Sequence, residues 1–272
     1  MFAPSISRSF RVKALRTNFT AVHPFNRSPL QPREGFTLFE LLIVMAIVAL
    51  LMVLIAPAFT TIKSGTDVTS AAYTIKGVLD TARTYAKANN TYTWVGFYEE
   101  DVSQPSTTPA TNGTGRLVMS IVASKDGTYV ATTNPIDVTK VFQVGKLTKV
   151  ENVHLARTAD NTSLPVDSNP QPPGTTLDTR PTVTSAYSLG NPTSTTPFNY
   201  PLGGTQYTFR WMVQFGPDGN ARLSNSTDFP QTAVASEIGL RQTHGTSVDM
   251  NSPNIVAVQF TGLSGNVIIY RK

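Results

Sequence analysis

Between Leu41 and Ala56 the sequence reads LLIVMAIVALLMVLIA, 16 apolar residues without a break. The run lies inside a 24-residue stretch, Phe36 to Phe59, whose only hydrogen-bonding side chains are those of Thr37 and Glu40. As an α-helix that stretch is about 36 Å long, enough to cross a hydrocarbon core of ~30 Å. Six basic residues precede it (Arg8, Arg11, Lys13, Arg16, Arg27 and Arg33), and Lys63 is the first to follow. The bias of positive charge towards the cytoplasmic side predicts a single pass, with the N-terminus in the cytoplasm and the C-terminal body across the membrane. A cleaved secretory signal fits less well. Its apolar core runs about 7–15 residues and ends in a small-residue cleavage site, whereas Ala56-Pro57-Ala58 has proline at its centre.

Glu40 is the residue that a plain membrane anchor does not explain. A carboxylate at the centre of a membrane helix costs on the order of 2.5–3.5 kcal/mol, so its presence asks for a partner. The sequence Arg33-Glu34-Gly35-Phe36-Thr37-Leu38-Phe39-Glu40 closely resembles the type IV prepilin processing site, a basic leader ending in Gly followed by Phe-Thr-Leu-Ile-Glu. Phe39 stands where Ile is commoner and keeps the position apolar. The resemblance implies that a prepilin peptidase cuts after Gly35 and methylates the new amino group of Phe36. It further implies that Glu40 of one subunit pairs with the Phe36 amine of its neighbour. Such a buried pair specifies axial register better than it adds net stability. Pro57, 21 residues after Phe36, occupies the place where pilins of this group carry a helix-bending proline, which removes one helical hydrogen bond and crowds the preceding turn.

The chain's formal charge of +5 suggests polyanion binding only until it is divided along the sequence. Residues 1–35 carry six basic side chains against Glu34 alone, which is +5, and the remainder holds 16 basic and 16 acidic side chains. The body is therefore neutral, and a global electrostatic case for nucleic acid disappears. Charged residues make up 14% of the chain, against ~25% in typical soluble domains, and Thr, Ser, Asn, Gly and Pro fill the difference. With no cysteine, neither disulfides nor thiolate chemistry is open to it.

Past Gly65, Val68, Ala71, Ala72, Ile75, Val78, Leu79, Ala82 and Ala86 recur at helical spacing, predicting an amphipathic helix that stops near Asn89-Asn90. Strand-like runs follow at Tyr92–Tyr98, Leu117–Ala123, Val138–Leu147, Val150–Leu155 and Tyr207–Phe215. In the last of these Tyr207, Phe209, Trp211, Val213 and Phe215 alternate with mostly polar residues, which predicts one continuous strand with one buried face. Gly216-Pro217-Asp218-Gly219 reads as a turn into Ala221-Arg222-Leu223, and Ile255–Phe260 with Val267–Tyr270 reads as a hairpin. Residues 160–206 hold eight of the 19 prolines and predict a long exposed insertion, with a shorter loop at Ser103–Gly115.

The expected fold is thus α+β: a long N-terminal helix, transmembrane in its first half, packed on a mostly antiparallel sheet. The body is similar to GspH/FimT-type minor pseudopilins in Ala82-Arg83-Thr84-Tyr85-Ala86, in Tyr92-Thr93-Trp94-Val95 and in Phe215-Gly216-Pro217-Asp218-Gly219. Residues 1–35 would be the leader, 36–62 the filament-core segment and 63–272 the periplasmic domain.

Catalytic patterns are missing from the sequence. There is no Gly-x-Ser-x-Gly elbow and no phosphate-binding glycine loop followed by lysine. His23 falls in the leader, and His154 and His244 lack a metal-pair spacing. Glu99-Glu100-Asp101 and Asp218 supply oxygen ligands of the kind calcium takes, but without a loop ligand series. Arg241, Arg271 and Lys272 are a thin basic set, and nucleic acid is not an expected partner. The expectation is a structural protein without cofactor, a minor pseudopilin of a type II secretion-like system. Its partners would be a prepilin peptidase, other pseudopilins or pilins, the inner membrane and an assembly platform. The alternative is a minor pilin of a type IV pilus, active in DNA uptake or adhesion.

Overall fold

The computed structural model describes residues 35–130, 135–165, 174–191, 194–223 and 235–272, with the side chains of 54–66 left out. The expected leader, apart from Gly35, and its basic residues therefore lie outside the described residues. Contacts divide the chain into two units, Met1–Leu50 and Leu51–Lys272.

One helix, α1 (Leu38–Ala88), runs from the first unit into the second. Within the second unit its stripe Val68, Ala71, Ala72, Ile75, Leu79, Ala82 and Ala86 is fully buried, and Val78 packs at the margin. Four of those seven residues are alanine, and near its end the helix comes close enough to the sheet for Thr93 Oγ1 to donate to Ala82 O at 3.1 Å. The helix stops where predicted. Thr91 N–H donates back to Ala86 O (2.9 Å) and Asn90 takes a positive φ of 49°, a left-handed residue that asparagine tolerates at a helix end.

The strands are β1 (Thr93–Asp101), β2 (Gly115–Ser124), β3 (Val141–Leu155), β4 (Phe198–Tyr200), β5 (Tyr207–Phe209), β6 (Trp211–Phe215), β7 (Ala221–Leu223), β8 (Ser236–His244), β9 (Ser247–Val248), β10 (Ile255–Phe260) and β11 (Val267–Arg271). Their order in the main sheet is β11-β10-β8-β3-β2-β1-β6-β7, with β9 on β8, while β4 and β5 pair separately. All strand pairings are antiparallel. The expected α+β class, one helix on a mostly antiparallel sheet, is what the described residues form.

Three departures from the sequence pattern carry physical content. First, Tyr207–Phe215 is not one strand. The chain breaks at Arg210, β5 pairs β4, and β6 pairs β1. The break shifts the alternation. Val213 and Phe215 face the helix-side core, whereas Tyr207, Phe209 and Met212 join a second core with Trp94, Val118 and Phe198. Gly96 makes room for that second core. A Cβ there would lie 2.5 Å from Phe209 and 2.7 Å from the Phe198 ring.

Second, the two weak strand signals at 138–155 form a single strand, β3. Its register against β2 slips between Met119 and Ile121 and again at Gly115/Arg116. The slips fall at residues of positive φ, Gly145 (76°) and Asn152 (63°), where β3 carries extra residues against β2. Asn152 also reaches α1, donating to Asp67 Oδ2 at 2.9 Å.

Third, the expected exposed insertion at 160–206 is not simply exposed. Of its described residues, Leu164, Leu177, Leu189 and Phe198 are buried, Leu164 and Leu177 in a third core with Ala257 and Tyr270. The composition argument failed because buried charge, not apolar area alone, pins this segment to β8, a strand the sequence reading missed. Arg180 donates to Glu237 Oε2 (2.8 Å) and to Leu177 O (2.8 Å), and Gln259 Nε2 also donates to Glu237 (2.8 Å). Arg241 donates to Thr162 O and, at 2.8 Å, to Ser163 O. His154 contacts Glu99 (2.6 Å) through Nδ1 and Thr162 Oγ1 (3.0 Å) and Asp160 (3.2 Å) through Nε2.

Two outcomes follow. Arg180→Ala leaves Glu237 buried without its cation and should cost about 3–5 kcal/mol, read as a lower urea midpoint, where a loose surface loop would change stability by no more than about 0.5 kcal/mol. Acid should weaken the body by a separate route. Burial raises the carboxyl pKa of Glu100 and of Asp160, but hydrogen bonds and cations outweigh it: Ser106, Arg116 and Lys149 for Glu100, Thr162 and Arg157 for Asp160, so both titrate below the usual range. Their stabilisation is complete above the unfolded carboxylate range near pH 4 and is lost as pH falls through the lower folded values. Urea midpoints measured from pH 6 to pH 2.5 should hold down to about pH 4 and then drop.

Candidate processing and assembly site

The first turn of α1 has a hydrogen-bond pattern that its sequence dictates. Thr37 Oγ1 accepts from Glu40 N–H at 3.2 Å, and the Glu40 carboxylate accepts from both Thr37 N–H and Thr37 Oγ1–H at 2.9 Å. This is the reciprocal capping box of a Thr-x-x-Glu sequence, which satisfies donors that a helix start leaves orphaned. The negative side chain also lies at the positive end of the helix dipole. Thr37-Leu38-Phe39-Glu40 announces the box plainly, and the sequence reading assigned Glu40 only an intermolecular role. In the single chain Glu40 is already partnered.

Gly35 precedes the cap. Nothing lies within 4 Å of where its Cβ would be, and its φ is not in the positive range. The fold itself does not require glycine at this position. Phe36, the expected new N-terminus, is 86% exposed. From Phe36 to Val53 every residue is exposed, including Leu38, Phe39, Leu41, Met45, Leu50 and Met52. A helix apolar on all sides has no single face to bury, so its complement is lipid or a bundle of other helices. Among the described residues no helix is long and apolar enough to cross a membrane. The predicted Phe36–Phe59 segment continues into residues whose side chains are not described, Pro57 among them, so the span and the kink at Pro57 stay proposals.

Other sequence candidates are placed elsewhere. Glu99, Glu100 and Asp101 do not converge. Glu99 contacts His154 (2.6 Å), Glu100 meets Arg116 and Lys149 (both 3.3 Å), and Asp101 accepts from Ser103 (2.8 Å). Among the described residues no group of His, Asp and Glu could hold a metal. His244 is exposed on the β8–β9 hairpin, and Asp218 is exposed in the Gly216–Gly219 turn. Arg241 is buried under the insertion, which leaves only Arg271 and Lys272 of the basic set at the surface.

The chain matches the prokaryotic N-terminal methylation motif over residues 31–56. No curated protein and no solved structure matches it. The motif is the type IV pilin-like prepilin signal, and it supports a pilin-like protein that is processed by a prepilin peptidase and assembles with other pilins. It points to a structural role.

Removing the cap tests the local geometry. Thr37→Val should weaken the helix start by about 1 kcal/mol, read as faster amide exchange in the first turn of the detergent-solubilised chain, and Thr37→Ser should restore protection.

Proposed function

We propose that the chain is a minor pseudopilin of a type II secretion-like system, of the GspH/FimT type, anchored in the bacterial inner membrane and assembled into a periplasmic pseudopilus. Residues 1–35 are its leader, 36–62 its membrane and filament-core segment, and 63–272 its periplasmic body. Prepilin peptidase cuts after Gly35 and methylates the Phe36 amine. The observation that carries this reading is the methylation motif at 31–56; on this reading Gly35, Phe36 and Glu40 take the processing and assembly roles. Two features of the chain support it: a glycine at 35 that the fold does not need, and apolar residues exposed around the whole first part of α1.

The mechanism is mechanical. Phe36–Phe59 waits in lipid, then transfers into the filament, where other helices of the same kind replace lipid around it. Cleavage creates a cation at Phe36. Glu40, held in the single chain by Thr37, then has a charged competitor from the adjacent subunit. Exchanging a neutral cap for a charge-assisted partner fixes axial register between subunits. Pro57 gives the helix a point of bending at the end of the apolar run.

Mass spectrometry of the mature protein should find an N-terminal Phe36 carrying one methyl group. An uncut chain, or one cut after Ala58, would contradict the reading. Glu40→Ala should leave cleavage intact and abolish filament incorporation, scored by fractionation of sheared filaments from membranes.

A further inference from the structure

The turn that leads from β3 into the insertion closes over His154, and the contacts there need more hydrogen than a neutral imidazole and a hydroxyl supply. His154 is 1% exposed. Its Nδ1 lies 2.6 Å from Glu99 Oε1 on β1, a carboxylate that is fully buried. Its Nε2 lies 3.0 Å from Thr162 Oγ1 and 3.2 Å from Asp160 Oδ2. Thr162 Oγ1 is in turn 2.5 Å from Asp160 Oδ1 and accepts from Arg157 N–H at 2.9 Å. Three links thus run in series: Glu99 to Nδ1, Nε2 to the Thr162–Asp160 pair, and Thr162 to Asp160. Each takes one hydrogen, whereas a neutral imidazole brings one and the hydroxyl one. The hydroxyl hydrogen goes to Asp160. Burial raises the Asp160 carboxyl pKa, but Thr162 and Arg157 hold it below the usual range, so the group is an acceptor.

The charges around the ring show the same deficit. Glu99 and Asp160 share Arg157, at 3.9 and 2.7 Å, and its guanidinium lies over the Trp211 ring of β6 (5.0 Å). Arg241, opposite His154 on β8, donates instead to Thr162 O and Ser163 O. Glu100, next to Glu99 on β1, is met by Arg116 and Lys149 (both 3.3 Å). Glu99 Oε2 has no hydrogen-bond partner among the described residues. We propose that the His154–Glu99 pair carries one additional proton, and that this proton latches the turn at 157–162 onto β1 and β3. It lies between Nδ1 and Glu99 Oε1, and the count is the same whichever atom holds it. With it, all three links are made and the charges balance. Without it, one link loses its hydrogen and two carboxylates share a single cation, which buried polar groups do not tolerate. The closed turn holds a proton that an open turn releases, so rising pH favours opening. Docking of the first residues of the insertion thus responds to alkalinity, while Arg180 on Glu237 (2.8 Å) holds the part that follows.

The test follows amide exchange in the detergent-solubilised full chain, corrected for intrinsic rates, in peptides covering residues 156–165, with 255–260 as the reference. Exchange at 156–165 should be roughly tenfold faster at about pH 9 than at about pH 6, with 255–260 unchanged. Two variants supply the missing hydrogen from an amide. Glu99→Gln offers one to Nδ1, and Asp160→Asn offers one to Nε2. Each should keep the turn closed at both pH values. Equal exchange at both pH values in the unaltered chain would overturn the latch, as would an equal rise at 255–260. A variant that keeps 255–260 protected, yet opens with pH as the unaltered chain does, would overturn it as well.

Discussion

The body depends on one contact, a helix face of mostly alanine laid flat against an antiparallel sheet. Val68, Ala71, Ala72, Ile75, Leu79, Ala82 and Ala86 are wholly buried in one core with residues of β1, β2, β3, β6, β7, β8, β10 and β11. Eight strands share a core with one helical stripe, so the stripe organises the sheet more than any strand pair does. Small side chains allow the close approach, and each buried methylene adds about 0.8 kcal/mol. The same helix carries a different demand before this stripe. There it is apolar on almost all sides, and no described residue covers it. The first demand folds a subunit, and the second makes that subunit part of something larger.

Within the sheet and the segment docked on it, the chain uses buried charge as well as apolar area. Arg180, Glu237, Arg241, His154 and Glu99 are all less than 10% exposed, and each is bonded to another element or to the insertion. Ionisable groups enter a core only with partners. Their cost is tolerable here because each cation meets a carboxylate or several carbonyls. The arrangement fixes where a proline-rich segment lies, a placement that its scattered leucines could not specify.

The cap at Thr37 shows how a few residues can serve two purposes. Thr-x-x-Glu starts a helix by satisfying its first amides, and the methylation motif uses the same two residues. Under the proposed function, the carboxylate at 40 would exchange its partner Thr37 for a neighbouring amine. The exposed glycine at 35 has no comparable role within the chain, and the proposed processing would give it one.

Periodicity and spacing by themselves determined the apolar segment, the buried stripe of α1, its end at Asn89-Asn90 and the β10–β11 hairpin, and the processing motif was legible as a resemblance. Those features are local, because their period or wording is complete within a few turns or strands. The break at Arg210, the fusion of two weak strands into β3, the burial of β8 and the docking of 160–206 were decided by tertiary structure. Each depends on a partner far away in sequence. Gly96 admits Phe209 from over a hundred residues downstream, and Glu237 is acceptable in a central strand only because Arg180 and Gln259 reach it. A polar residue in a strand carries no mark of the distant group that will satisfy it, and that is why β8 was invisible until the chain was folded.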